Sequence, residues 1–140
     1  MKKTVLVIIV FSLLFSLCSC NENFLNKGSM DDAVINLETK SDITQSDIKS
    51  ALKVVENKFE TWPGFIMHTI SVSYVGKDVE YCNSLSNDVT YDECIVFESS
   101  FTTGSEDWGG FSKNITCNGF NWYVAREKDG KWQLVTYGVC

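Results

Sequence analysis

The end of the chain constrains its fold most. Residues 119–128 and 131–137 are two runs rich in aromatic and β-branched side chains, and they flank Asp129-Gly130. That pair is a preferred centre for a two-residue type I′ turn, so the runs are predicted to form an antiparallel hairpin. Without a bulge, Lys128 pairs with Lys131. Trp122 then faces Tyr137, Val124 faces Val135 and Arg126 faces Gln133 on one side, while Tyr123, Ala125 and Glu127 meet Thr136, Leu134 and Trp132 on the other. Both faces carry rings. One is expected to cover a helix. The other is too apolar to be fully wet, so a loop, a ligand or a partner is expected over it.

The helix is legible upstream. Thr44-Gln45-Ser46-Asp47 has the spacing of an N-terminal capping motif. Ile48, Leu52, Val55 and Phe59 follow at helical spacing, with Lys49, Lys53, Glu56 and Glu60 on the wet side. Pro63 disfavours helical torsions at Trp62, so Trp62-Pro63-Gly64 ends the helix. Residues 65–75 and 93–103 read as two further strands, and Trp108-Gly109-Gly110 as a loop. The expectation is an α+β domain over 44–140: one amphipathic N-terminal helix on an antiparallel sheet of about four strands. Residues 20–43 read as a flexible linker, with a weak helical pattern at 31–37.

Composition excludes several functions. The 140 residues carry 12 basic and 18 acidic side chains, a net charge of −6, which opposes binding to nucleic-acid phosphates. The single histidine, His68, is expected on a strand surface, and one histidine cannot build a multi-histidine metal site. The acidic pairs Asp92-Glu93 and Glu106-Asp107 lack the alternating oxygen ligands of a calcium loop and read as solvated turns. No Ser-His-Asp order, phosphate-binding glycine loop or Cys-x-x-Cys is present. No catalytic residue, cofactor or metal ligand is therefore assigned. Trp108, Phe111, Trp122 and Tyr123, with Arg126, are the candidate binding surface, set against plain packing of the rings in the core.

Lys2 and Lys3 precede an apolar run at 5–17, too short to span a bilayer comfortably. The run ends in Leu17-Cys18-Ser19-Cys20, which resembles the bacterial lipobox. The resemblance implies a signal peptide over 1–19, cleavage between Ser19 and Cys20, and a diacylglyceryl, N-acylated Cys20 that holds the chain to a membrane on its extracytoplasmic face. Loss of Lys2 and Lys3 takes the net charge from −6 to −8. Cys82, Cys94, Cys117 and Cys140 then remain, an even number in an exported chain, with three pairings open. The hairpin register brings Cys140 within reach of Cys117, and Cys82 and Cys94 end one interstrand loop. Cys82–Cys94 and Cys117–Cys140 are the favoured disulfides, with buried thiols as the alternative.

The helix followed by long strands, closing on Trp122-Tyr123-Val124-Ala125-Arg126 and Gly130-Lys131-Trp132, resembles the cystatin-like, nuclear-transport-factor-two-like cone. It is most similar to an uncharacterised domain of small bacterial lipoproteins, which also carries a stretch like Glu93-Cys94-Ile95-Val96-Phe97. The superfamily often has three helices where this chain shows one strong one. The resemblance implies a surface lipoprotein with a non-catalytic domain for a protein or small-molecule ligand. It also admits a small isomerase or hydrolase working inside the cone with a buried acid, or a structural envelope component.

Overall fold

The computed structural model describes residues 27–76 and 79–140. The expected signal peptide, Ser19 and Cys20 lie outside these residues. The elements run β1 (Val34–Asn36), α1 (Gln45–Phe59), β2 (Ile66–Val75), α2 (Val79–Ser84), β3 (Glu93–Thr102), β4 (Thr116–Arg126) and β5 (Gln133–Gly138). The fold is α+β. The strands form one sheet in sequence order, with β1 parallel to β2 and every later pair antiparallel.

Two expectations need correction. The sheet has five strands and is mixed, and a second helix is present. The added strand lies inside the stretch read as linker, and residues 31–37 carry a turn and this strand in place of a helix. The reason is a close backbone approach that polar composition hides. Ser29 N–H donates to Phe65 O and Ser29 O accepts from Met67 N–H, both at 2.9 Å. Gly28 lies so near the end of α1 that a Cβ there would sit 2.2 Å from Phe59 O.

Helix α1 forms where the capping motif places it. The Thr44 hydroxyl accepts from Asp47 N–H at 3.1 Å and donates to the Asp47 carboxylate at 2.7 Å. Its buried stripe is Ile48, Ala51, Val55 and Phe59, with Leu52 only half-buried. The stripe packs on Met67, Ile70, Ile95, Phe97, Phe101, Phe120, Trp122 and Val124 from the sheet. The opposite sheet face, expected to need a cover, receives α2: Cys82 and Tyr91 bury Cys94, Val96 and Ala125, and the Tyr81 ring lies 5.0 Å from Tyr123. Beyond α2 this face is polar and open. There His68 Nε2 lies 2.7 Å from Thr102 Oγ1, and the Thr69 and Ser100 hydroxyls lie 2.7 Å apart.

The hairpin register holds at Trp122–Tyr137 and Tyr123–Thr136, then slips, so that Val124 faces Leu134 and Ala125 faces Gln133. Val135 is the bulged residue. The turn is not the two-residue type I′ expected at Asp129-Gly130. Only Asp129 has positive φ (57°), and Gly130 N–H bonds Glu127 O at 2.8 Å. Trp132 leaves the ladder and lies buried beneath the Arg126 guanidinium, 4.4 Å from it. Burial of that indole displaces the Glu127–Trp132 pairing, and the bulge absorbs the offset.

The docked segment makes a direct prediction. Gly28→Ala should lower unfolding free energy by about 1–3 kcal/mol, since a methyl group there must displace backbone. An unchanged urea midpoint would show that residues 27–30 do not pack on α1.

Candidate binding groove

One end of the sheet gathers unusual chain geometry. The end of α1, the start of β2, the β3–β4 loop and the end of β5 all meet there. The loop is internally tied. The buried Thr103 hydroxyl donates to Ser112 O at 2.7 Å and accepts from Ile115 N–H at 2.9 Å, while Asp107 accepts from Lys113 N–H at 2.8 Å. Trp108 and Phe111 exchange backbone hydrogen bonds around Gly109 and Gly110, whose φ values are 57° and 90°. Two successive positive φ angles require glycine or a close substitute, and this pair supplies them. The turn aims Trp108 and Phe111 at Trp62, with ring centroids 5.7 and 5.4 Å away.

An open groove of about 450 Å³ lies beside this turn. Phe111, Ile115, Phe120 and Tyr137 supply its apolar lining, and the Cys117–Cys140 disulfide borders it with Cα atoms 5.3 Å apart. None of its lining side chains carries a formal charge. Its rim exposes apolar surface: Val139 is 77%, Ile115 42% and Tyr137 38% exposed. Val139 has φ of 73°, a strained conformation for a β-branched residue. The disulfide one residue on helps hold it there. Such an open groove offers an apolar wall to an uncharged group. Its volume falls in the range of small-ligand sites, roughly 300–1,000 Å³.

Of the five residues expected to form a binding surface, only Phe111 lines the groove, and the five do not converge. Trp108 is half-buried next to the groove. Trp122 is fully buried and donates its indole N–H to Ser99 Oγ at 2.8 Å, so it is core. Tyr123 faces α2 on the other side of the sheet. Arg126 lies at the far end of β4, ion-paired with Asp47 at 2.8 Å and with Glu93. Sequence reasoning missed Ile115, Phe120, Tyr137 and Val139. A usable signal existed in the Gly-Gly pair between Trp108 and Phe111, and in Tyr137-Gly138 leading to Cys140.

Of the two expected disulfides, Cys117–Cys140 is present, while the buried Cys82 and Cys94 sulfurs lie 2.9 Å apart, farther than an S–S bond. Among the described residues no group of three His, Cys, Asp or Glu is placed to hold a metal ion. Asp92 accepts from Lys128 N–H at 2.7 Å, so neither acidic pair is merely solvated: Glu93 is paired with Arg126 and Asp107 braces the loop. No family model, curated protein or solved structure matches this chain.

The Arg126 cluster ties the start of α1 to β3 and β4. The Thr44 hydroxyl, then the Arg126 guanidinium, hold the Asp47 carboxyl below its ordinary value of 3.8. A carboxylate with a depressed folded pKa adds stability above its unfolded pKa, and loses it as pH falls through the folded value. Stability should therefore drop as pH falls below about 4, and Asp47→Asn should reduce that slope. Equal slopes in urea titrations from pH 3 to 7 would remove Asp47 from the account. Arg126→Met should cost about 2 kcal/mol at pH 7, because two charge-assisted hydrogen bonds are lost.

Proposed function

We propose that this chain is a membrane-anchored binding domain that takes an uncharged, apolar group in the groove bordered by Phe111, Ile115, Tyr137 and the Cys117–Cys140 bridge. The groove carries this reading: it is open, its lining side chains carry no formal charge, and its rim holds a strained, exposed valine. Phe59, Trp62, Phe65, Phe101 and Trp122 fill the region between α1 and the sheet. The only buried polar residues among those described are Ser99 and Thr103, and both are hydrogen-bonded. An interior catalytic acid therefore has no observation behind it. The order of a capped helix and then an antiparallel meander supports a cystatin-like relationship as part of the same proposal.

The anchor is proposed at Cys20, after Leu17-Cys18-Ser19. Lys27 is ion-paired with Glu60 at 2.6 Å, at the groove end of the sheet. Seven residue steps separate Cys20 from Lys27, a reach of at most about 25 Å. An acylated Cys20 would keep the groove close to the lipid surface, where apolar ligands concentrate.

Two measurements test the proposal. Radiolabelled palmitate should enter the wild-type chain and not Cys20→Ala; equal labelling would remove the anchor. The neutral dye N-phenyl-1-naphthylamine should brighten on binding, and Val139→Asp should weaken that binding about tenfold by placing a charge on the rim. Unchanged dye affinity in Val139→Asp would place the ligand elsewhere.

A further inference from the structure

Cys82 and Cys94 lie far from the groove, on the sheet face that α2 covers. Both are fully buried, and their sulfurs are 2.9 Å apart. A disulfide needs about 2.05 Å, so the two must approach by less than an ångström. We propose that Cys82 and Cys94 form a second disulfide, one that clamps α2 and the following loop to β3.

The surroundings explain why a clamp belongs there. Helix α2 has six residues, too few to be stable without tertiary support. It covers a small patch made by Cys94, Val96 and Ala125, separate from the main core. Asn83 closes the same loop without a covalent bond: its Oδ1 accepts from Tyr91 N–H at 2.7 Å and its Nδ2 donates to Tyr91 O at 3.1 Å. A Cys82–Cys94 bond would fasten the base of that loop to β3.

The reaction is a thiol–disulfide exchange with a low-molecular-weight disulfide or an oxidised dithiol protein. The Cys82 thiolate attacks one sulfur of the oxidant. The oxidant's S–S bond breaks, a mixed disulfide forms, and the first thiolate leaves and takes up a proton. The Cys94 thiolate then attacks Cys82 Sγ, and the second thiolate leaves and is protonated. Both cysteine protons end on the two product thiols: the cysteines are oxidised and the oxidant reduced. Burial of both sulfurs means that the first attack precedes docking of α2.

Labelling the full chain decides the question. The reduced, unfolded protein is refolded with reduced and oxidised glutathione, unfolded again without reductant, and treated with N-ethylmaleimide. Tryptic cleavage leaves both cysteines on one peptide, because no Lys or Arg lies between them. Cleavage after Glu93 separates them. The expected result is an unlabelled, cross-linked pair of fragments that reduction splits, each half gaining one hydrogen. Maleimide on both cysteines, or a link from either to Cys117 or Cys140, would overturn the proposal. The double variant Cys117→Ser/Cys140→Ser should still link Cys82 to Cys94. Amide exchange over 79–92 should quicken on reduction in that variant while 45–59 is unchanged, and identical exchange in both redox forms would overturn the clamp.

Discussion

The packing of Trp62 organises the molecule. Its ring lies 5.1 Å from Trp122, 5.6 Å from Phe59, 5.4 Å from Phe65 and 5.4 Å from Tyr137, so one side chain joins α1, the approach to β2, β4 and β5. Pro63 fixes the chain just after it, which holds the indole at the foot of the helix. Two glycines then let other segments close on this turn. A Cβ at Gly28 would meet Phe59 O, and one at Gly104 would lie 2.4 Å from Pro63 O. The indole N–H of Trp62 has no hydrogen-bond partner among the described residues. Ring packing outweighs that desolvation, about 1–3 kcal/mol for a buried donor.

The same turn shapes the groove from behind. Phe111 and Trp108 rest on Trp62 and Phe65, so the β3–β4 loop is seated on the core rather than hung from its strands. For the proposed binding role, a packed back wall and a strained rim residue would leave little ordering to oppose binding. The opposite end of the domain is held by charge instead. There Arg126 spans Asp47 and Glu93 and covers Trp132.

Local physics made much of the fold legible in the sequence. The Thr44 cap and the stop at Trp62-Pro63 bound α1 closely, and the alternation in 93–103 gave β3. Long-range events were hidden. β1 forms because Gly28 and Ser29 fit against α1 and β2, and nothing in a short polar stretch encodes that partner. Trp132 left its ladder position for the aliphatic and cationic surface of Arg126, and this moved Val135 out of register. For the site, residue type identified aromatic and charged candidates. Type does not separate Trp122, whose N–H satisfies a buried Ser99, from Tyr137, whose ring reaches the surface. The groove depends on where chain ends and glycine turns meet, which only the assembled fold decides.

The parallel strand has a mechanical consequence. In a chain held at Cys20, any tension between membrane and domain passes first through residues 27–36. These are joined to the rest by a three-residue ladder, the Ser29–Ile66 bridge and the Lys27–Glu60 pair. Their release would uncover the core where Met30, Ala33 and Leu37 pack on it. It would also free the chain as far as Thr44, adding seventeen residues and up to about 60 Å of reach. Force spectroscopy would read this as an early extension before global unfolding. If the chain is anchored at Cys20 as proposed, the segment would set how far from the lipid the domain can work: short leash when docked, long when pulled.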